Sequence, residues 1–99
     1  MFIIDINYTV PLDQINACMK AHVDYLDKYF ALKKFLIAGR KKPRTGGIVL
    51  VIADSKEETE TIAKEDPFYI NQLAEYKIIE FTAGKKADNI DELLSGTFK

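Results

Sequence analysis

Ninety-nine residues leave room for one hydrophobic core, and a composition of 47% apolar and 29% charged residues excludes intrinsic disorder, collagen-like repeats and a coiled coil. Fourteen basic residues against fifteen acidic ones give a net charge of −1, so the chain as a whole carries no electrostatic footprint for nucleic acid or membrane. A single cysteine rules out an internal disulfide, and neither a signal-peptide pattern nor an apolar run of about 18 residues is present, so the expected setting is the cytoplasm without a membrane span.

The opening FIIDINYT alternates with period two, placing Phe2, Ile4, Ile6 and Tyr8 on one side, and predicts a first strand. Pro11 suits the first position of a helix, and Asp13 adds negative charge where the helix dipole welcomes it. Apolar residues then recur in steps of three and four, at Ile15, Cys18, Met19, Val23, Leu26, Tyr29 and Phe30, which predicts one helix with His22 inside its apolar stripe. FLIAG is too short for a further helix and predicts a second strand ending at Gly39. GRKKPRTGG, with Arg40, Lys41, Lys42 and Arg44 and no apolar residue, predicts an exposed hairpin connection.

IVLVIA is apolar at every position, as expected of a strand covered on both faces. Ser55 with Glu58 three residues later fits a capping box opening a second helix, which should stop near Asp66 because Pro67 restricts the residue before it. FYINQLA adds a short turn, and YKIIEFTAG predicts the last strand. Beyond Lys85, a weak amphipathic pattern around Ile90, Leu93 and Leu94 marks a tail that either docks as a helix or stays mobile.

The order βαββαβ is that of an α+β, ferredoxin-like domain: an antiparallel sheet with its helices on one face, expected as a single domain over 1–99 with its core at about 2–84. The other sheet face should be wet, yet the third strand is apolar throughout. A second copy packed face to face as a homodimer is the simplest cover, and a docked tail is the intramolecular alternative.

His22 is the only histidine. Within the helix stripe it is either a core imidazole satisfied by its neighbours or a general acid/base, for which its ordinary pKa near 6.5 suits it. Asp66, beside Pro67 at a helix end, is the best-placed carboxylate to hold one ring nitrogen, although an Asp-Pro pair is also a common turn. Asp24 and Asp27 point away along the helix from His22. Cys18 and His22, four apart, share a helix face but form an incomplete metal set, so no metal is expected. The RKKPR segment is either a solvated loop or an anion site.

HVDYL around His22, then LIAGRKKPRTGG, Asp54-Ser55 with Glu57 and Glu58, Asp66-Pro67-Phe68 and YKIIEF together resemble the YciI-related (YCII domain) family, from residue 2 to about 84. The resemblance implies a ferredoxin-like fold that pairs as a dimeric α+β barrel, and a His and Asp active-site pair at His22 and Asp66. Where the family often has Ser, Gly, Pro, this chain has Ala38, Gly39, Arg40: a hydroxyl is missing and a cation added. One branch of the family resembles a dehydrochlorinase of hydroxylated aromatics, and related barrels include muconolactone isomerases.

The expected function is therefore an acid/base enzyme of lyase or isomerase type on a small anionic cyclic or carbonyl compound, requiring no organic cofactor. His22 would move the proton, Asp66 orient it, and Gly39, Arg40 and Arg44 receive the anion. The alternative is a non-catalytic dimeric module that binds a small molecule or plays an accessory role.

Overall fold

Alternation builds the centre of the sheet: in β1 (Phe2–Tyr8), Phe2, Ile4 and Ile6 are buried, and the residues between them face the other way. The structure, a computed structural model, describes residues 1–95. Its elements follow as α1 (Leu12–Ala17), α2 (Met19–Ala31), β2 (Phe35–Arg40), β3 (Gly46–Val51), α3 (Lys56–Lys64), α4 (Pro67–Ile70), β4 (Ala74–Glu80) and α5 (Ile90–Leu94). All strand pairs are antiparallel, in the order β2-β3-β1-β4, which is the ferredoxin-like arrangement read from the sequence. No helix among the described residues is long and apolar enough to cross a membrane.

Register turns the pattern into a core. Ile4 stands opposite Val49 on one side and Ile78 on the other, and Phe2 stands opposite Val51, so one face presents a continuous apolar layer to the helices. Each fully buried side chain of this size contributes about 1.5–3 kcal/mol relative to exposure. At the end of β3, a Cβ on Gly46 would fall 1.8 Å from the Ile6 carbonyl oxygen, so the close approach of β1 and β3 requires glycine there.

The sequence predicts one helix that begins at Pro11 and carries its apolar stripe to Phe30, but the structure breaks it at Cys18 (φ −100°, ψ 0°), whose N–H donates to the Ile15 carbonyl. The break serves two clusters at once. Ile15 packs with Phe68 and Leu73, whereas Tyr25 and Tyr29 of α2 enter the main core. The buried stripe of α2 is His22, Tyr25 and Tyr29, with Val23 and Phe30 exposed.

Ser55 caps α3 as expected, its Oγ accepting from the Glu58 N–H at 3.1 Å. The returning half of the capping box is replaced, since the Glu58 carboxylate accepts from Lys34 at 2.9 Å and so ties α3 to the start of β2. At the other end of α3, the Tyr29 hydroxyl donates to Glu65 at 2.7 Å. Burial first, and that carboxylate second, push the phenol up to about 12, while the hydroxyl, then Lys28, hold Glu65 below the usual carboxylate range. This clamp fixes the α2–α3 junction immediately before Asp66.

Within the single chain β3 is covered on one face. Val49 and Val51 are buried against the helices, but on the opposite face Ile48 is 39% exposed and Ile79 of β4 41%. Among the described residues the tail forms α5, in which Ile90 and Leu93 are exposed. Positions 96–99 of the predicted tail lie outside the described residues.

Candidate active site

His22 reaches its position because α2 packs across the sheet and α4 begins beside it. Asp66 is the N-cap of α4, with Pro67 in the first helical position, and its Oδ1 accepts the Phe68 N–H at 3.0 Å. The same oxygen lies 2.8 Å from His22 Nδ1. A buried carboxylate opposite a ring nitrogen selects the tautomer with hydrogen on Nδ1, so Nδ1–H donates to Asp66. Phe68, two residues on, stacks on the imidazole with centroids 4.0 Å apart and planes inclined by 5°. Asp66 and Phe68 together fix both the in-plane rotation and the tilt of the ring.

Asp66 is fully buried and its second oxygen is also engaged, accepting from the Tyr76 hydroxyl at 2.5 Å. Burial, then the neighbouring Asp66 charge, raise the Tyr76 phenol well above its usual range, so it remains a donor. Tyr25 is raised by the same two causes in the same order, and its hydroxyl donates to the Ile62 carbonyl at 2.8 Å.

His22 Nε2 has no protein partner among the described residues, and His22 lines a cavity of about 210 Å³. Met19, Val23, Leu26 and Phe68 form apolar walls, and the small residues Ala38 and Gly47 leave the space open over the sheet. Val23, exposed on the helix, is part of this wall. Arg40 stands opposite Gly47, which stands opposite Ile6, so register places Arg40 on the helix-side face, where it lines the cavity. Gly39 borders it as well.

Other sequence candidates fall elsewhere. Arg44 does not line the cavity: it donates to Asn16 Oδ1 at 2.6 Å, which ties the hairpin to α1. Lys41, which has no acidic neighbour in sequence, pairs with Asp5 and donates to Asn7 at 2.7 Å, because β1 brings both to the hairpin. Asp24 pairs with Lys20 on the solvated face. Cys18 accepts weakly from Asn71 at 3.7 Å, and no group of three metal-ligating side chains is assembled among the described residues.

Two contributors escaped sequence reasoning. Tyr76 follows the alternation that turns Ile78 inward, and an inward tyrosine hydroxyl needs a partner, so its role was open to inference from period two alone. Phe68 had no such signal, because nothing in the chain indicates which aromatic ring a histidine will stack on.

Fold and site thus define a ferredoxin-like α+β domain carrying a buried carboxylate–imidazole pair at the wall of a small cavity. Residues 1–82 match the model of the YCII-related domain, and the chain belongs to that family. Among solved structures, it is similar to 5-chloro-2-hydroxyhydroquinone dehydrochlorinase (TftG) from Burkholderia phenoliruptrix AC1100, in complex with 2,5-dihydroxybenzoquinone: TM-score 0.72 and 23% identity, over 89% of this chain and 100% of that one. A likeness at this identity shows the shared fold. No curated protein matches the chain in sequence.

Proposed function

We propose that the protein is an acid/base enzyme of lyase or isomerase type acting on a small anionic cyclic or carbonyl compound. The observation that carries this reading is the 2.8 Å contact between His22 Nδ1 and Asp66, which leaves Nε2 for a cavity that Arg40 also lines. The lone pair on Nε2 takes a proton from a substrate C–H or O–H, and Asp66 and the stacked Phe68 ring stabilise the resulting imidazolium. The proton then returns at another atom, as in an isomerase, or passes to water as a leaving group departs, as in a lyase. Arg40 holds the anionic group with a planar fork that lysine cannot reproduce.

Incubation in D2O with 5-chloro-2-hydroxyhydroquinone and 2,5-dihydroxybenzoquinone, followed by mass spectrometry and chloride assay, tests the reaction. Deuterium at ring carbon or released chloride supports catalysis; binding without either supports the accessory, non-catalytic module. Arg40→Lys should weaken binding of 2,5-dihydroxybenzoquinone about tenfold, as read by calorimetry, because two parallel charge-assisted hydrogen bonds become one. Unchanged affinity would remove Arg40 from the site.

The reading includes a homodimer through the open sheet face and a single domain over 1–99. Ile48 and Ile79 are exposed on that face, and Ile3, Ile37 and Leu50 beside them are only half-buried. Two such faces packed together should bury at least about 1,000 Å² in total. Light scattering should give twice the chain mass, and Ile48→Lys should give the monomer. A monomeric wild-type protein at micromolar concentration sinks the dimer and leaves the site chemistry untouched.

A further inference from the structure

A carboxylate that orients a histidine must itself be held, because rotation about the bond joining Cβ to the carboxyl carbon is broad and nearly two-fold in Asp. Of the two oxygens of Asp66, Oδ1 is shared by the Phe68 N–H at 3.0 Å and His22 Nδ1 at 2.8 Å. Oδ2 has one donor, the Tyr76 hydroxyl. Without that donor, a fully buried carboxylate oxygen would be unpaired, and the group would gain by swinging, by admitting water or by sharing its other contacts.

We infer that Tyr76 is a positioning residue for His22: by holding Oδ2 it locks the plane of Asp66, and through Asp66 the tautomer and direction of the imidazole. The device spans three elements, β4 for Tyr76, the start of α4 for Asp66 and α2 for His22, so the sheet edge sets the angle of a side chain on a helix. Tyr76 does not itself line the cavity that His22, Tyr8 and Arg40 line. Its kinetic consequence rests on the acid/base reading above, whereas its effect on the ring does not.

The chain has one histidine, so nitrogen-15 NMR of the labelled protein reads His22 without assignment by mutation. In the wild type the neutral ring should show hydrogen on Nδ1 and a bare Nε2. Tyr76→Phe keeps the ring in the core and removes only the donor; it should mix the tautomers and speed exchange of the Nδ1 proton. With 5-chloro-2-hydroxyhydroquinone as probe, kcat should fall at least about tenfold with KM changed less than about twofold, because misplacing a reacting group costs rate more than binding.

A folded Tyr76→Phe protein with the wild-type tautomer, exchange rate and kcat overturns the inference. Absence of turnover in the wild type defeats the acid/base reading alone, since the NMR comparison needs no substrate. If the variant does not fold, the wild type decides: a Tyr76 hydroxyl proton that exchanges slowly supports the hold on Asp66, and one that exchanges at the rate of a free tyrosine overturns it.

Discussion

His22→Ala should lower kcat by a factor of about 10² to 10⁴ while leaving the affinity for 2,5-dihydroxybenzoquinone within a few-fold of wild type, because a group that moves a proton acts in the transition state. On the proposed reading the anion is held by Arg40, which lines the cavity from β2 and not from α2, so binding and proton transfer should separate cleanly. Circular dichroism must first show the variant folded, since it also loses the stacking contact with Phe68. Isothermal calorimetry and a progress curve on the same sample then decide. Equal loss of affinity and rate would mean that His22 builds the pocket without moving a proton, and retained turnover would remove it from the chemistry.

The largest effect on stability should come from Asp66→Ala, at about 3–5 kcal/mol, which is the usual cost of removing one partner from a buried hydrogen-bonded pair. Asp66 is 0% exposed and accepts from the Phe68 N–H, His22 Nδ1–H and the Tyr76 hydroxyl, so truncation leaves three donors without their acceptor. It also removes the cap of α4. For a domain of this size the fall in melting temperature should be roughly 12 °C or more. Urea unfolding with an unchanged slope would assign the loss to the native state; a loss under about 1 kcal/mol would show that the carboxylate contributes little beyond a turn.

Much of the fold was legible because two periodicities carry it. The alternation in FIIDINYT placed Phe2, Ile4 and Ile6 inward, and Ser55 and Pro67 marked helix boundaries by local hydrogen-bond and steric chemistry. The turn at Cys18 was not legible, because a three-and-four spacing continues smoothly across it and only the separate positions of two core clusters require it. Arg40 and Arg44 look equivalent in a basic loop. They differ because strand register points Arg40 to the cavity while α1 supplies Asn16 to Arg44. The approach of Asp66 to His22, across 44 residues, is an expectation from the position of Asp66 at a helix end beside proline, strengthened by the resemblance; such an end can aim a side chain many ways, and only packing of α4 against α2 selects one.

The carboxylate, the amide that braces it and the ring that stacks on the imidazole come from Asp66-Pro67-Phe68, a stretch of three residues. Gly39 and Arg40 come from β2, an outer strand of the sheet that contributes nothing to that stretch. On the proposed reading, recognition at the end of β2 and proton transfer at His22 of α2, set by Asp66 and Phe68, lie on separate pieces of chain. Substitutions at the end of β2 should then retune which molecule is held while the histidine keeps its setting, because neither Gly39 nor Arg40 takes part in the contacts that fix the imidazole.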